Sequence, residues 1–258
     1  MATQTLEQQT DDEVDTLSKS RMLSTINRYS LGNEIKRVKW KIEEGGLFTG
    51  FVSPDNSVFG VLKVQDFPIE DSTIGIFDTK RLKALVRILK DDFSVSLKKR
   101  GGEFRLMVLD DGEKTIHFEL ASLDVIPNTP QLKHLPDWQV ETEITEDFID
   151  DFRSAEGAIN QDQFGVKTTA DGVNVVVGET SDGRSSNKVN IPVPVDDFEP
   201  MSDSVVFRAD LFAEILKANQ DNVTGYWEIS EEGLGRVSFE GEGWETTYYI
   251  LSEQLDHT

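Results

Sequence analysis

Apolar positions along the chain switch between two periods, one near 3.6 residues and one of 2. Residues 1–17 are polar and acidic with no sustained period, and read as a mobile tail. Met22, Leu23, Ile26 and Tyr29 then give the buried side of a helix over about Lys19–Ser30, with Arg21 and Arg28 together on its other side. Val38–Ile42 alternates like a half-buried strand. Leu47–Val52 and Val58–Val64 flank Ser53-Pro54-Asp55-Asn56, where Pro fixes φ and Asp and Asn bond the backbone, so the pair predicts a hairpin. Thr73–Phe77 is a short strand leading into a helix that Asp78 or Thr79 can cap and that runs to Lys90. Three strands follow, Phe93–Lys98, Phe104–Leu109 and Thr115–Leu120, joined by Arg100-Gly101-Gly102 and Asp110-Asp111-Gly112.

Residues 121–137 carry three prolines, which cannot donate to a ladder, and predict an extended connector. The order of elements then repeats. A helix over about Thr145–Ala158 turns Phe148, Phe152 and Ala155 inward. Phe164–Thr168 and Val173–Val177 form a hairpin around Ala170-Asp171-Gly172. Val189–Val195 reads as an edge strand, because Pro192 and Pro194 interrupt its donors. Val205–Phe207 leads into a helix Arg208–Asn219, and strands Thr224–Ile229, Gly235–Phe239 and Thr246–Leu251 end the chain. Phe77 and Phe207 enter corresponding helices, while residue identity between the halves is negligible. The pattern predicts an α+β fold of two similar domains, each with two helices on antiparallel sheet. Their limits are 18–120 and 138–258, with 1–17 as tail and 121–137 as connector.

Charge sharpens one element. Leu82, Leu85, Val86 and Leu89 make an apolar stripe on the helix after Phe77, while Lys80, Lys83, Arg87 and Lys90 share a second face. Alone, such a stripe is an ordinary solvated face. The chain, however, has a net charge of −22. Residues 1–135 hold 19 Lys/Arg against 21 Asp/Glu, and residues 136–258 hold 7 against 27. A protein this acidic repels DNA overall. Its cationic stripe therefore either pairs with its own acids or is kept for a polyanion at one place.

The same composition excludes several chemistries. No cysteine is present, so there is no disulfide, thiolate nucleophile or Cys-based metal site. No 18-residue apolar run and no signal-peptide pattern occur, so no membrane partner and an intracellular location are expected. His117, His134 and His257 are scattered, and the acid pairs Asp110-Asp111, Asp150-Asp151 and Asp196-Asp197 sit in turns or on helix surfaces. Nothing converges on a catalytic or metal site, so no enzyme activity and no cofactor are expected. Lys98-Lys99-Arg100 reads as a basic hairpin tip, with a backbone-phosphate contact as the sharper alternative.

Four stretches carry a family resemblance. Gly46–Val64, Ile74–Leu82, Glu143–Val177 and Trp227–Leu251 (with Phe239-Glu-Gly-Glu242) resemble, in this order, parts of DNA polymerase processivity clamps, above all the sliding clamps of T-even-type bacteriophages. The match spans nearly all of the chain after residue 20, and its specificity lies in the order of weak matches. The resemblance implies a head-to-tail homotrimer, a ring of six domains around duplex DNA, with a replicative polymerase and a clamp loader as partners and the cytoplasm of a bacterial host as location. It places helices around the hole, so Arg21, Arg28, Lys80, Lys83, Arg87 and Lys90 are expected to face DNA, with Arg153 and Lys217 from the second half. There Asp150, Asp210 and Glu214 stand beside them, so either DNA tilts toward the first domain or the inward faces are chosen wrongly. The resemblance also makes the connector and the last strand the seat of a short apolar peptide from a partner. Leu123, Val125, Ile126 and Ile250 are the expected pocket; the plain alternative for them is core edge. Two other functions compete. An acidic DNA mimic explains the charge but not the cationic helix, and a phage structural subunit explains the sheet but not the duplication.

Overall fold

The computed structural model describes residues 16–181, 187–195, 197–220 and 224–253. The first half runs β1 (Thr16–Ser18), α1 (Lys19–Ser30), β2 (Val38–Glu43), β3 (Gly46–Val52), β4 (Val58–Val64), β5 (Ser72–Ile76), α2 (Thr79–Arg87), β6 (Asp92–Arg100), β7 (Glu103–Asp110) and β8 (Thr115–Glu119). The second runs β9 (Val140–Ile144), α3 (Glu146–Ile159), β10 (Gln163–Thr169), β11 (Gly172–Val177), β12 (Val189–Val193), β13 (Val205–Arg208), α4 (Ala209–Ala218), β14 (Thr224–Ser230), β15 (Leu234–Gly241) and β16 (Trp244–Leu251). The two orders are identical, strand for strand and helix for helix.

Side-chain caps start three of the helices. Ser18 accepts from the Arg21 N–H, Asp78 from the Arg81 N–H and Thr145 from the Phe148 N–H. Arg208, before α4, has no capping bond. Its guanidinium instead binds Asp210 and reaches Asp55 in the β3–β4 turn of the first half. The helices pack as pairs, α1 with α2 and α3 with α4, and α1 also meets α4 across the halves. Their apolar stripes lie on the sheets. In the second half this contact is aromatic: Phe148 and Phe152 of α3 and Phe212 of α4 interlock with Phe164 of β10 and Trp227 of β14 at 4.7–6.4 Å between ring centres.

The sheets show how the halves join. Strands β1-β6-β7-β8 form one sheet and β12-β11-β10-β13 another. The remaining eight form a single sheet, β5-β2-β3-β4-β16-β15-β14-β9, so β4 of the first half pairs with β16 of the second. This antiparallel ladder runs from Trp244 opposite Val64 to Ile250 opposite Val58, with Gly60 opposite Tyr248. Gly60 belongs there because a Cβ would collide with the Thr247 carbonyl and lie 2.7 Å from the Phe51 ring. Behind the ladder, the buried Tyr248 hydroxyl donates to the Arg28 carbonyl at 2.8 Å and accepts from Asn219 Nδ2 at 2.9 Å. One hydroxyl thus ties α1, β16 and the end of α4 together. Burial pushes its pKa up to about 12 against the opposing bond from Asn219.

Several expectations need correction. Thr16 and Leu17, expected in the tail, belong to β1 and pair with β6; residues 1–15 lie outside the described residues. Strand β9 was not expected, nor was the shared sheet. The second helix stops at Arg87. Phe77 and Phe207 do not correspond in space: Phe77 is 54% exposed, Phe207 is fully buried, and Ile76 fills the equivalent inward place. β12 is an edge strand, as its prolines indicate.

Two outcomes follow. Tyr248→Phe leaves the Arg28 carbonyl and Asn219 amide without their buried partner, and urea unfolding should show a loss of about 1–3 kcal/mol. Partial burial of Asp55 raises its pKa, but bonds from Ser53, Ser57 and Arg208 outweigh this and bring it to about 2. A carboxylate with a depressed folded pKa stabilises above its unfolded value, about 3.9, and loses that contribution as pH falls toward 2. The stability gap between the native chain and Asp55→Asn should therefore be full above about pH 4 and close by about pH 2, as read by urea midpoints at each pH.

Candidate nucleic-acid face and partner groove

The four helices form one layer on the sheets, and α2 carries its cations on the side away from them. At 100° per residue Leu82 and Val86 point to the core, while Lys80, Ala84 and Arg87 point out. Lys83 lies toward the neighbouring helices. Partial burial lowers its pKa, the Arg87 and Lys217 charges add to this, and Glu214 opposes it. α2 and α4 therefore bring Lys83, Arg87 and Lys217 within electrostatic reach. Arg81, exposed on α2, adds a cation that the spacing argument does not select. It follows Lys80 directly, 100° around the helix, and so falls outside the i, i+3, i+7 stripe.

Other expected cations are placed differently. Arg28 is 5% exposed: its guanidinium stacks 3.5 Å from the Trp244 ring centre and bonds Ser24. It serves the joint between the halves and is withdrawn from the outward face. Lys90 lies beyond the helix end, where its N–H is bound by Asp111 at 2.9 Å and its ammonium by Glu113 at 2.7 Å. Arg21 bonds the Gln65 carbonyl at the edge of α1. In the second half, Lys217 pairs with Glu214 at 2.9 Å and Arg153 with Gln220 at 2.9 Å. Glu146, Asp147, Asp150 and Asp151 are exposed on α3. The helix layer is thus basic at α2 and acidic at α3.

The other side of the eight-stranded sheet carries a groove. Here the strand register gives rows of outward side chains. One row is Thr73, Lys41, Phe48, Lys63 and Glu245; the next is Lys39, Gly50, Val61 and Thr247; the third includes Phe59 and Tyr249. The connector crosses this face at Gly50, where a Cβ would collide with Thr129. Beyond the crossing, Leu132 and Leu135 stand over Phe59, Val61 and Tyr249 and enclose a cleft of about 420 Å³. Phe59 and Tyr249 stack at 5.2 Å.

Of the four expected pocket residues, none lines this cleft. Ile250 is 1% exposed and faces the core, because successive strand residues alternate and Tyr249 takes the outward place. Ile126 is buried against Gly75, where the connector bridges β5. Leu123 is half-buried, and Val125 is exposed with its carbonyl accepting from Arg37 at 3.4 Å. The period-2 pattern of β4 and β16 was the signal that could have selected Phe59, Val61 and Tyr249.

The remaining polar groups are occupied locally. Asp110 accepts from Gly112 and Thr115, and Asp111 from Lys90, Glu113 and Lys114, so this acid pair builds the β7–β8 turn. Lys99 packs over Phe104 at the β6–β7 tip. His117 and His134 are exposed and far apart in the chain; His257 and Asp196 lie outside the described residues. Among the described residues no group of three or more His, Asp or Glu is arranged to hold a metal ion, and no helix is long and apolar enough to cross a membrane.

No protein-family model and no curated protein matches the chain in sequence. Solved structures do match in fold. Proliferating cellular nuclear antigen (PCNA) from Entamoeba histolytica superposes with a TM-score of 0.70 at 11% identity, over 92% of this chain and 96% of that one. PCNA from A. fulgidus, solved with the C-terminal region of FEN-1 bound, gives 0.70 at 15% identity over 92% and 97%. PCNA from Thermococcus kodakaraensis gives 0.68 at 15% over 92% and 98%. The chain therefore has the two-domain α+β fold of the PCNA-type sliding clamps, over nearly its whole length.

The crossing at Gly50 yields a test. Gly50→Val should push Thr129 and the connector off the sheet while leaving the helices intact. Limited trypsin digestion should then cut at Lys133 at least several-fold faster than in the native chain, with unchanged far-ultraviolet circular dichroism.

Proposed function

We propose that this protein is a DNA sliding clamp: a ring of identical chains that encircles duplex DNA and tethers a replicative polymerase, without catalysis of its own. The observation that carries the reading is the joint between the halves. β4 pairs with β16 inside one chain, and the repeat gives each strand an equivalent with a free edge: β12 answers to β4 and β8 to β16. The same joint can therefore form between β12 of one copy and β8 of the next. Matching inward residues sets the register. Leu62 corresponds to Ile191 and Tyr248 to Ile116, so Val189 falls opposite Ile116 of the next copy and Asn190 opposite Thr115. Such a contact is head-to-tail and closes into a ring when its rotation permits. The family resemblance makes the number three.

In that ring the helix layer lines the hole, because the joint keeps the helices on one side of the continuous sheet. Lys80, Lys83, Arg87 and Arg81 meet phosphates, and Lys217 supports them. A sliding contact has to be electrostatic and blind to sequence, since a strong base contact would arrest motion. The acids of α3 make the hole uneven, and DNA is held nearer the first domain. The groove under the connector receives the apolar segment of a polymerase or loader. The T-even-type phage origin, the loader and the host cytoplasm are carried by the resemblance alone. A DNA mimic is disfavoured by the outward cations of α2.

Two measurements test the reading. Sedimentation over a concentration series should give a particle of three times 29.0 kDa, and a monomer persisting at tens of micromolar contradicts it. Lys80→Gln, Lys83→Gln and Arg87→Gln together should keep the fold, because Gln is a comparable helix former. The slope of log affinity for duplex DNA against log salt should then flatten by about 0.9 for each phosphate no longer neutralised. An unchanged slope in a folded triple variant removes α2 from the DNA face.

A further inference from the structure

We infer that the outer face of the eight-stranded sheet selects partner segments in which acidic residues accompany the apolar anchor, through a second subsite built by Lys39, Lys41 and Lys63. The inference rests on the partner-groove reading above and specifies its chemistry. The connector divides the groove at Gly50 into two clefts that share Val61 and Thr129. The cleft toward Tyr249 has an apolar floor of Phe59, Val61 and Tyr249 beneath Leu132 and Leu135, with Lys133 and His134 also in its lining. The cleft on the other side, about 380 Å³, has Phe48, Val61 and Gly50 as floor and Pro127 and Thr129 as roof, and Lys39, Lys41 and Lys63 on its rim. The register makes this arrangement obligatory. Lys41 and Lys63 lie on the strands either side of Phe48 in one row, and Lys39 lies beside Gly50 in the next.

Three cations around an exposed aromatic ring are notable in a chain of net charge −22. None is locked in the fold. Lys41 pairs with Glu43 at 2.8 Å and Lys63 with Glu245, both pairs about half exposed, and Lys39 donates to Asn128 Oδ1 at 2.9 Å. Exposed pairs of this kind contribute little and exchange readily for an incoming carboxylate. The occupant is a short peptide and not a nucleic acid, because the sheet beyond β4 turns acidic along Glu245, Glu240, Glu143 and Glu141, and its one cation there among the described residues, Arg236, is paired with Glu228. A polyanion extending past the cleft meets that surface; a peptide whose acids are confined to one end does not. The apolar anchor then lies over Val61 and Tyr249 while the acids lie between Lys39, Lys41 and Lys63.

The test uses fluorescein-labelled decamers with a central Leu-Phe pair and three Glu, three Gln or three Lys residues at either end, read by anisotropy on the full chain at low salt. The Glu peptides should bind about tenfold more tightly than the Gln peptides, and the Lys peptides least. Lys39→Gln, Lys41→Gln and Lys63→Gln together should abolish that order, and the corresponding Glu variant should invert it. Val61→Ser, which removes apolar surface without adding charge, should weaken all the peptides alike. If the three sets bind equally and Val61→Ser still weakens binding, the groove reading stands and the acidic selection is wrong. Absence of binding by every peptide at about 1 mM overturns the inference, as does equal competition by a short DNA duplex that depends on the same lysines.

Discussion

The ladder between β4 and β16 is the constraint on which the architecture depends. It makes two domains of one sheet, fixes both helix pairs on the same side, and leaves β8 and β12 as unused copies of its own two edges. Gly60 lets the strands approach closely enough to pair, and the Tyr248 hydroxyl locks the helices behind them. Arg208 and Asp55 add a charged clasp at the same boundary. Without the ladder, neither the continuous outer face nor the continuous helix layer would exist.

Charge is distributed unevenly around this frame. The acids of the second half are not matched by a local excess of cations, so they cannot hold a polyanion. On the helix layer the outward cations are Lys80, Arg81 and Arg87 of α2, while Lys83 lies nearer Glu214. Where an acid could reach, it has paired: Lys90 with Glu113, Lys217 with Glu214, Arg208 with Asp210. The second cationic cluster, Lys39, Lys41 and Lys63, lies on the opposite face of the sheet.

Most of the fold was legible in the chain because long elements repeat their period several times. What was missed is short or relational. β1 has three residues, too few for an alternation to register, and Val140-Glu-Thr-Glu-Ile144 alternates cleanly but stands next to a helix cap that dominates the local pattern. Pairing of β4 with β16 is a contact between segments 180 residues apart in sequence, and no local pattern encodes it. The site was legible in part. The outward cations of α2 follow from helical spacing, but Arg28 shares that spacing on α1 and is buried under Trp244, since spacing cannot reveal a neighbouring domain. In the groove, one residue of strand phase separates Ile250 in the core from Tyr249 at the surface.

The most direct test of this account is covalent. The chain has no cysteine, so a pair introduced at Thr115 and Asn190 is unambiguous. If copies join through β8 and β12 as proposed, the repeat sets these two exposed positions opposite one another, within the separation a disulfide can bridge. Mild oxidation of the Thr115→Cys/Asn190→Cys protein should give one covalent trimer on a denaturing gel, while either single variant stays monomeric. Retention of monomer in a folded double variant, or an open-ended ladder of products, would contradict a ring closed through these edges.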